Sequence, residues 1–195
     1  VGKIPVDVEA LGVDLLAISA HKLYGPKGVG AMYIRRGTQM RPFVCGGPQE
    51  RQQRGGTLNA PGIVGLGRAC ELAQQRGEAE RSRVRALRDR LEAGVVARAG
   101  GGGGLPNTSC ICFAGLEADA LLMLLSQRGV CASSGSACSS GSHEPSHVLG
   151  AMGVPPELAQ GQIRFSLGCE NTEAEVDAVL AMLPQVLARV AALSA

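Results

Sequence analysis

Apolar residues in this chain come in short blocks, each broken by glycine or proline. Residues 13–19 (VDLLAIS) read as a buried strand, 21–28 (HKLYGPKG) as a turn-rich loop and 30–35 as a second strand. Beyond Pro61, Ile63, Leu66, Cys70 and Ala73 recur at helical spacing, and Val84, Leu87, Leu91 and Val95 repeat the pattern. These positions predict two long amphipathic helices joined within 74–80. Five consecutive glycines, 100–104, close the helical region. The pattern then predicts a strand at 108–114, a helix at 117–127 with Leu121, Leu122 and Leu125 inward, and a short strand at 130–132. A brief helix starting at Pro145 and closed by Gly153 follows, then a strand at 163–167. Thr172 and Glu175 form a capping box for a last helix whose inner face is Val176, Val179, Leu180, Leu183, Leu187 and Val190, with a kink expected at Pro184. Strands alternating with helices on both sides of the glycine run indicate an α/β protein, with a domain boundary in the long helical region that separates residues 1–78 from 79–195.

Composition narrows the function classes. The 195 residues are 45% hydrophobic and carry a net charge of +2, the profile of an ordinary globular protein. Aromatics are 3% with no Trp, which argues against a base-stacking nucleic-acid platform, and no apolar run has the length of a membrane span. Seven cysteines, an odd number without disulfide-framework spacing, favour a reducing, cytoplasmic setting. The chain opens at Val1 directly before a strand-like block. It therefore reads as the middle of a longer protein, whose preceding part would hold further site residues.

The stretch 133–142, SSGSACSSGS, surrounds Cys138 with small polar residues that cannot bury enough surface to pack, so it reads as a mobile loop carrying a thiol. By composition alone, a linker with an incidental cysteine fits it equally. Residues 44–57 (VCGGPQERQQRGGT) carry glycine pairs at both ends, the makeup of a loop that brings backbone close to a ligand or of a plain surface connection. Lysine is scarce: only Lys3, Lys22 and Lys27 stand among nineteen Lys and Arg. Lys22, at a strand end behind Ser19 and His21, is the best-placed amine for Schiff-base chemistry, because burial and neighbouring cations can depress a lysine's pKa. His143-Glu144-Pro145-Ser146-His147 matches the HExxH pattern of zinc peptidases. Pro145 within that turn leaves His143 outside a helix, and Gly153 occupies the place of the third histidine of the extended motif. Cys110 and Cys112 alternate with apolar residues and read as core rather than metal ligands.

HKLYGPKGVGAMYIRR, GGPQERQQRGGT, LPNTSCICFAG, SSGSACSSGSHEPSHVLGAMGV and IRFSLG, in this order, resemble the NifS/IscS-like cysteine desulfurases. These are pyridoxal-phosphate (PLP) enzymes of aminotransferase class V and fold type I, and the likeness covers nearly the whole chain. It implies the end of the large PLP-binding domain followed by a small α/β C-terminal domain. It also implies roles: Lys22 as the lysine that holds PLP, Ser19 and His21 on its phosphate, and Thr57 on the phosphate of the partner subunit's cofactor in a homodimer. Arg164 would grip the carboxylate of the substrate L-cysteine, and Cys138 would take its sulfur as a persulfide, releasing alanine. That persulfide would pass to an acceptor, such as a scaffold for iron–sulfur cluster assembly.

The chain departs from the family pattern at Pro48, where a third glycine is usual, at His143, where an aliphatic residue is common, and at Cys169, where a basic residue is common. The family's partner for the pyridine nitrogen, its ring-stacking histidine and a phosphate-binding stretch would all precede Val1. The chain by itself is therefore expected to bind PLP poorly and turn over little. A selenocysteine lyase, a non-catalytic dimerising scaffold and, more remotely, the HExxH peptidase are the competing readings.

Overall fold

The computed structural model of the protein describes residues 1–95, 104–135 and 146–193. The Cys138 loop beyond Gly135, the first three residues of the HExxH pattern, the expected helix start at Pro145 and glycines 100–103 lie outside the described residues. Two compact units emerge, Val1–Gly77 and Glu78–Ala195.

In the first unit, strands β1 (Leu15–Ser19) and β2 (Gly30–Ile34) pair antiparallel, with Ser19 opposite Gly30 and Leu15 opposite Ile34. The strand expected at 13–19 is present but not buried: Leu15, Ala17 and Ser19 are exposed and Leu16 and Ile18 half-buried. A two-stranded ribbon has no further strand to cover its faces. A 3-10 turn, Ala20–Leu23, links the strands. Next comes α1 (Gln49–Gln52), whose Glu50, Arg51 and Gln52 have φ of 48°, 56° and 67°. Three consecutive non-glycine residues in the left-handed region cost roughly 1–2 kcal/mol each, and nothing in the polar sequence QERQ signals them.

Helix α2 (Ala60–Val95) runs to the end of its described span but breaks at Gly77 (φ 55°, ψ −148°), within the expected join. Its first stretch buries Leu66 and Ala69, while Ile63, expected inward, is exposed. The second stretch buries Val84, Leu87, Leu91 and Val95, all four of the expected positions.

The second unit is built on β3 (Thr108–Cys112) and β4 (Gln162–Ser166), antiparallel with Ile111 opposite Ile163 and Cys110 opposite Arg164. Alternation sends Ile111, Ile163 and Phe165 into a core shared with residues 84–95, helix α3 (Ala118–Gln127) and helix α6 (Glu173–Leu193). Cys112 instead joins Leu149 and Ala159 of the short helices α4 (His147–Ala151) and α5 (Pro156–Ala159). That placement matches the reading of Cys112 as core.

Three details differ from expectation. Helix α3 buries Leu124 with Leu121 and Leu125, while Leu122, inward as expected, packs half-buried against the same core. Residues 130–132 form no strand: a single bridge at Ser133 pairs with Arg164. Helix α6 adds Val186 to its buried face, and Pro184 lies inside its span. The capping box forms as expected: Glu175 N–H donates to Thr172 Oγ1 at 3.3 Å, and Thr172 N–H donates to Glu175 Oε2 at 2.9 Å.

Candidate active site

The lysine turn is fixed from three sides. Ala20 N–H donates to Val29 O (3.0 Å), tying the start of the 3-10 turn to the hairpin, and Gly25 N–H donates to Ala20 O (2.9 Å), closing the turn on itself. Ala20 and Leu23 pack with Leu66 and Ala69 in a small apolar cluster, so the turn is seated on the first stretch of α2. Two glycines make the seat close. A Cβ on Gly65 would stand 2.5 Å from Pro26 Cγ, and one on Gly25 would stand 3.0 Å from both Ala20 O and Ala69 Cβ. Tyr24 ends the turn in the left-handed region (φ 64°). Its hydroxyl accepts from Lys3 Nζ at 2.9 Å, and the Lys3 ammonium and Arg76 guanidinium lie 4.4 and 5.4 Å from its ring centre.

This seat leaves Ser19, His21 and Lys22 together on one exposed turn. Lys3 is engaged with Tyr24, whereas Lys22 makes no hydrogen bond or ion pair among the described residues. The burial expected around Lys22 is not found in this chain, where its side chain faces outward. Thr57 is also exposed, in the extended stretch between Gly56 and helix α2.

The glycine pairs of 44–57 close on each other. Gly55 N–H donates to Val44 O at 2.7 Å, and a Cβ on Gly55 would meet Gly46 N at 2.7 Å. In these residues the close approach is backbone to backbone across the neck of the loop. A separate cavity of the first unit, lined by Glu9, Tyr33, Arg35, Arg36 and Arg51 among others, does not include Lys22.

Arg164 belongs to the second unit. Its backbone pairs on one side with Cys110 and on the other with Ser133, the first residue of SSGSAC: Arg164 N–H donates to Ser133 O at 2.6 Å and Ser133 N–H to Arg164 O at 3.1 Å. The side chain is half-buried, and its Nε is buried with no partner among the described residues. A buried donor left open costs about 1–3 kcal/mol, so this guanidinium fits an anion, such as a carboxylate. Gly135 (φ 108°) follows where a Cβ would come 2.5 Å from Gln162 Nε2. Burial pushes the thiols of Cys110 and Cys112 above their ordinary value; Cys112 adds to the effect on Cys110 and Arg164 opposes it. Among the described residues no three of His, Cys, Asp and Glu gather as a metal site.

Sequence reading missed the Tyr24 clamp, Gly65 and the Cys110–Arg164 juxtaposition. The glycine in a helical pattern was a visible signal for Gly65; pairing register, which links 110 to 164, has no local signal.

Residues 1–179 match the family model for aminotransferase class V. The chain belongs to the aminotransferase class-V family. Members of this family are pyridoxal-phosphate enzymes. The chain is 51% identical over its whole length to a cysteine desulfurase of Gluconacetobacter diazotrophicus, covering 50% of that protein. It is 48% identical to the cysteine desulfurase NifS of Azotobacter vinelandii over 97% of this chain and 49% of that one. A solved NifS-like protein superposes with a TM-score of 0.84 and 41% identity, covering 96% of this chain and 50% of the other. The fold is thus that of one part of a PLP-dependent fold type I protein, and the chain spans about half the length of the curated relatives it matches.

Proposed function

We propose that the complete protein is a PLP-dependent cysteine desulfurase, which converts L-cysteine to L-alanine and leaves the sulfur on Cys138 as a persulfide. The observation that carries this reading is the pairing of Ser133 with Arg164: it roots the cysteine-bearing segment beside an arginine whose Nε has no partner among the described residues. Four residues separate Ser133 from Cys138, and the five steps of chain between them can span at most about 18 Å, so the thiol is tethered within reach of a substrate held by that arginine.

The residues present fit part of the cofactor. Lys22 offers a free primary amine on a rigid turn, Ser19 and His21 flank it with hydrogen-bonding groups, and Arg164 offers an open anion site. Lys22 would bind the cofactor's aldehyde carbon, Ser19 and His21 its phosphate, and Thr57 the phosphate held by a second copy in a homodimer. When bound, PLP supplies an electron sink for the substrate's Cα. The chain's own residues would do the rest: Arg164 would orient the carboxylate, the Lys22 amine would take the Cα proton, and Cys138 as thiolate would attack the substrate sulfur, the Cβ–S bond breaking as the S–S bond forms and its electron pair staying on Cβ, which is protonated to give alanine.

In this reading residues 1–78 are the end of the PLP-binding domain and 79–195 the small domain. The exposure of Ser19, His21, Lys22 and Thr57 supports placing the remaining cofactor contacts outside this chain, which alone would bind PLP poorly. A reducing, cytoplasmic setting and an iron–sulfur scaffold as sulfur acceptor complete the proposal. The test is borohydride reduction of the complete PLP-loaded protein followed by peptide mass spectrometry: a pyridoxyl group on Lys22 is expected, and its placement on any other residue overturns the reading.

A further inference from the structure

We propose that the charge at position 110 decides whether Arg164 is open to the substrate carboxylate: the neutral Cys110, set directly across the strand, leaves the guanidinium without an acidic partner among the described residues. This rests on the reading of Arg164 as the carboxylate grip. Directly opposed residues of an antiparallel pair stand about 4.5–5.5 Å apart at Cβ and project to the same face. The β3–β4 register opposes Cys110 to Arg164, on the face away from Ile111, Ile163 and Phe165. An acidic residue at 110 would therefore pair with the guanidinium and fill the donor that a substrate needs. Cysteine fills the same space without charge, and among the described residues no Asp or Glu forms an ion pair with Arg164.

The surroundings keep that thiol protonated. Burial is the largest influence and raises its pKa, Cys112 on the same strand raises it further, and Arg164 on β4 opposes them. The apolar cluster that Cys110 packs against adds Leu149, Val154, Leu158 and Ala159 from α4, α5 and the residues between them, none of them titratable. Below the raised pKa the guanidinium stays open; above it a thiolate would compete with the substrate for Arg164.

The test uses the complete PLP-loaded protein with two substitutions of nearly equal size. Cys110→Asp at neutral pH should raise KM for L-cysteine about 10- to 100-fold, the range of a charged hydrogen bond, with kcat little changed. Cys110→Asn should leave KM within about threefold. An equal rise in both variants would mean that Cys110 acts through packing and would overturn the proposal. A readout independent of activity is the pH dependence of Cys110 alkylation, followed by peptide mass spectrometry, in the wild type and in Arg164→Gln. Loss of the cation should move the alkylation midpoint upward; an unmoved midpoint overturns the pairing, even if Cys110→Asp does not fold. An unchanged KM in Arg164→Gln would instead overturn the carboxylate reading of Arg164, and an alkylation shift seen beside it would trace the failure to that reading.

Discussion

Replacing Gly65 by alanine tests how firmly the turn that carries Lys22 is seated on α2. The new Cβ would stand 2.5 Å from Pro26 Cγ and 3.0 Å from Pro26 Cδ. Ordinary contact begins at 3.4 Å, so the proline ring must retreat by about 0.9 Å. Pro26 lies four residues from Lys22 on the same short loop, so the amine should move with it. Two effects oppose each other in stability. Alanine in a helix interior is favoured over glycine by up to about 1 kcal/mol, whereas overpacking costs about 1–3 kcal/mol. The net expectation is a loss of about 1 kcal/mol, and a displacement near 1 Å at a reacting group can cost about 100-fold in rate. Gly67, two residues on, is the internal control: nothing lies within 4 Å of its Cβ position, so Gly67→Ala should gain up to about 1 kcal/mol and leave activity unchanged. Urea unfolding of the complete protein and alanine formation measure the two effects. Equal stabilisation by both substitutions with unchanged turnover would refute the close seat at Pro26.

Two further outcomes follow from the ionisable groups. Glu78 is held below the usual carboxylate range by hydrogen bonds from Arg81 and Ser82, and Glu175 by the backbone N–H of Thr172 and the Asn171 side chain. A carboxylate depressed in the folded state contributes stability that is present above the unfolded value, near 4.5, and is lost as pH falls through the folded one. Glu78→Gln/Glu175→Gln should therefore be less stable than wild type at neutral pH and converge with it in acid; urea midpoints that stay parallel across the range would refute this. Thiol labelling should divide the cysteines: exposed Cys45 and Cys131 react in the native protein, while Cys112, buried with its pKa raised, reacts only on unfolding, as read by peptide mass spectrometry.

The helices were largely legible in the sequence because their signals are local. The Thr172–Glu175 box and the Val84, Leu87, Leu91, Val95 spacing each state a helix within one or two turns of chain, and both are found. In α3 the expected inward residues Leu121, Leu122 and Leu125 all meet the core, Leu122 at its edge, and Leu124 joins them because four leucines in five positions crowd one face. The lysine turn was legible as a motif, but what holds it was not. The Tyr24 clamp draws on Lys3 and Arg76, 21 and 52 residues away, and the Gly65–Pro26 seat spans 39 residues. Strand burial failed at Leu15 for a related reason: an apolar run states what a strand can bury, and only the neighbouring elements decide whether it does. Ser133 is the reverse case. A strand was expected at 130–132, and the single bridge that forms one residue later is what joins SSGSAC to Arg164.

The measurement that bears most directly on the proposed desulfurase is a comparison of wild type with Cys138→Ser in the complete protein, scored for PLP content and for sulfide released from L-cysteine in the presence of a reductant. The serine variant should hold PLP on Lys22 as the wild type does and release no sulfide. Sulfide release at the wild-type rate would contradict the assignment of Cys138 as the sulfur acceptor.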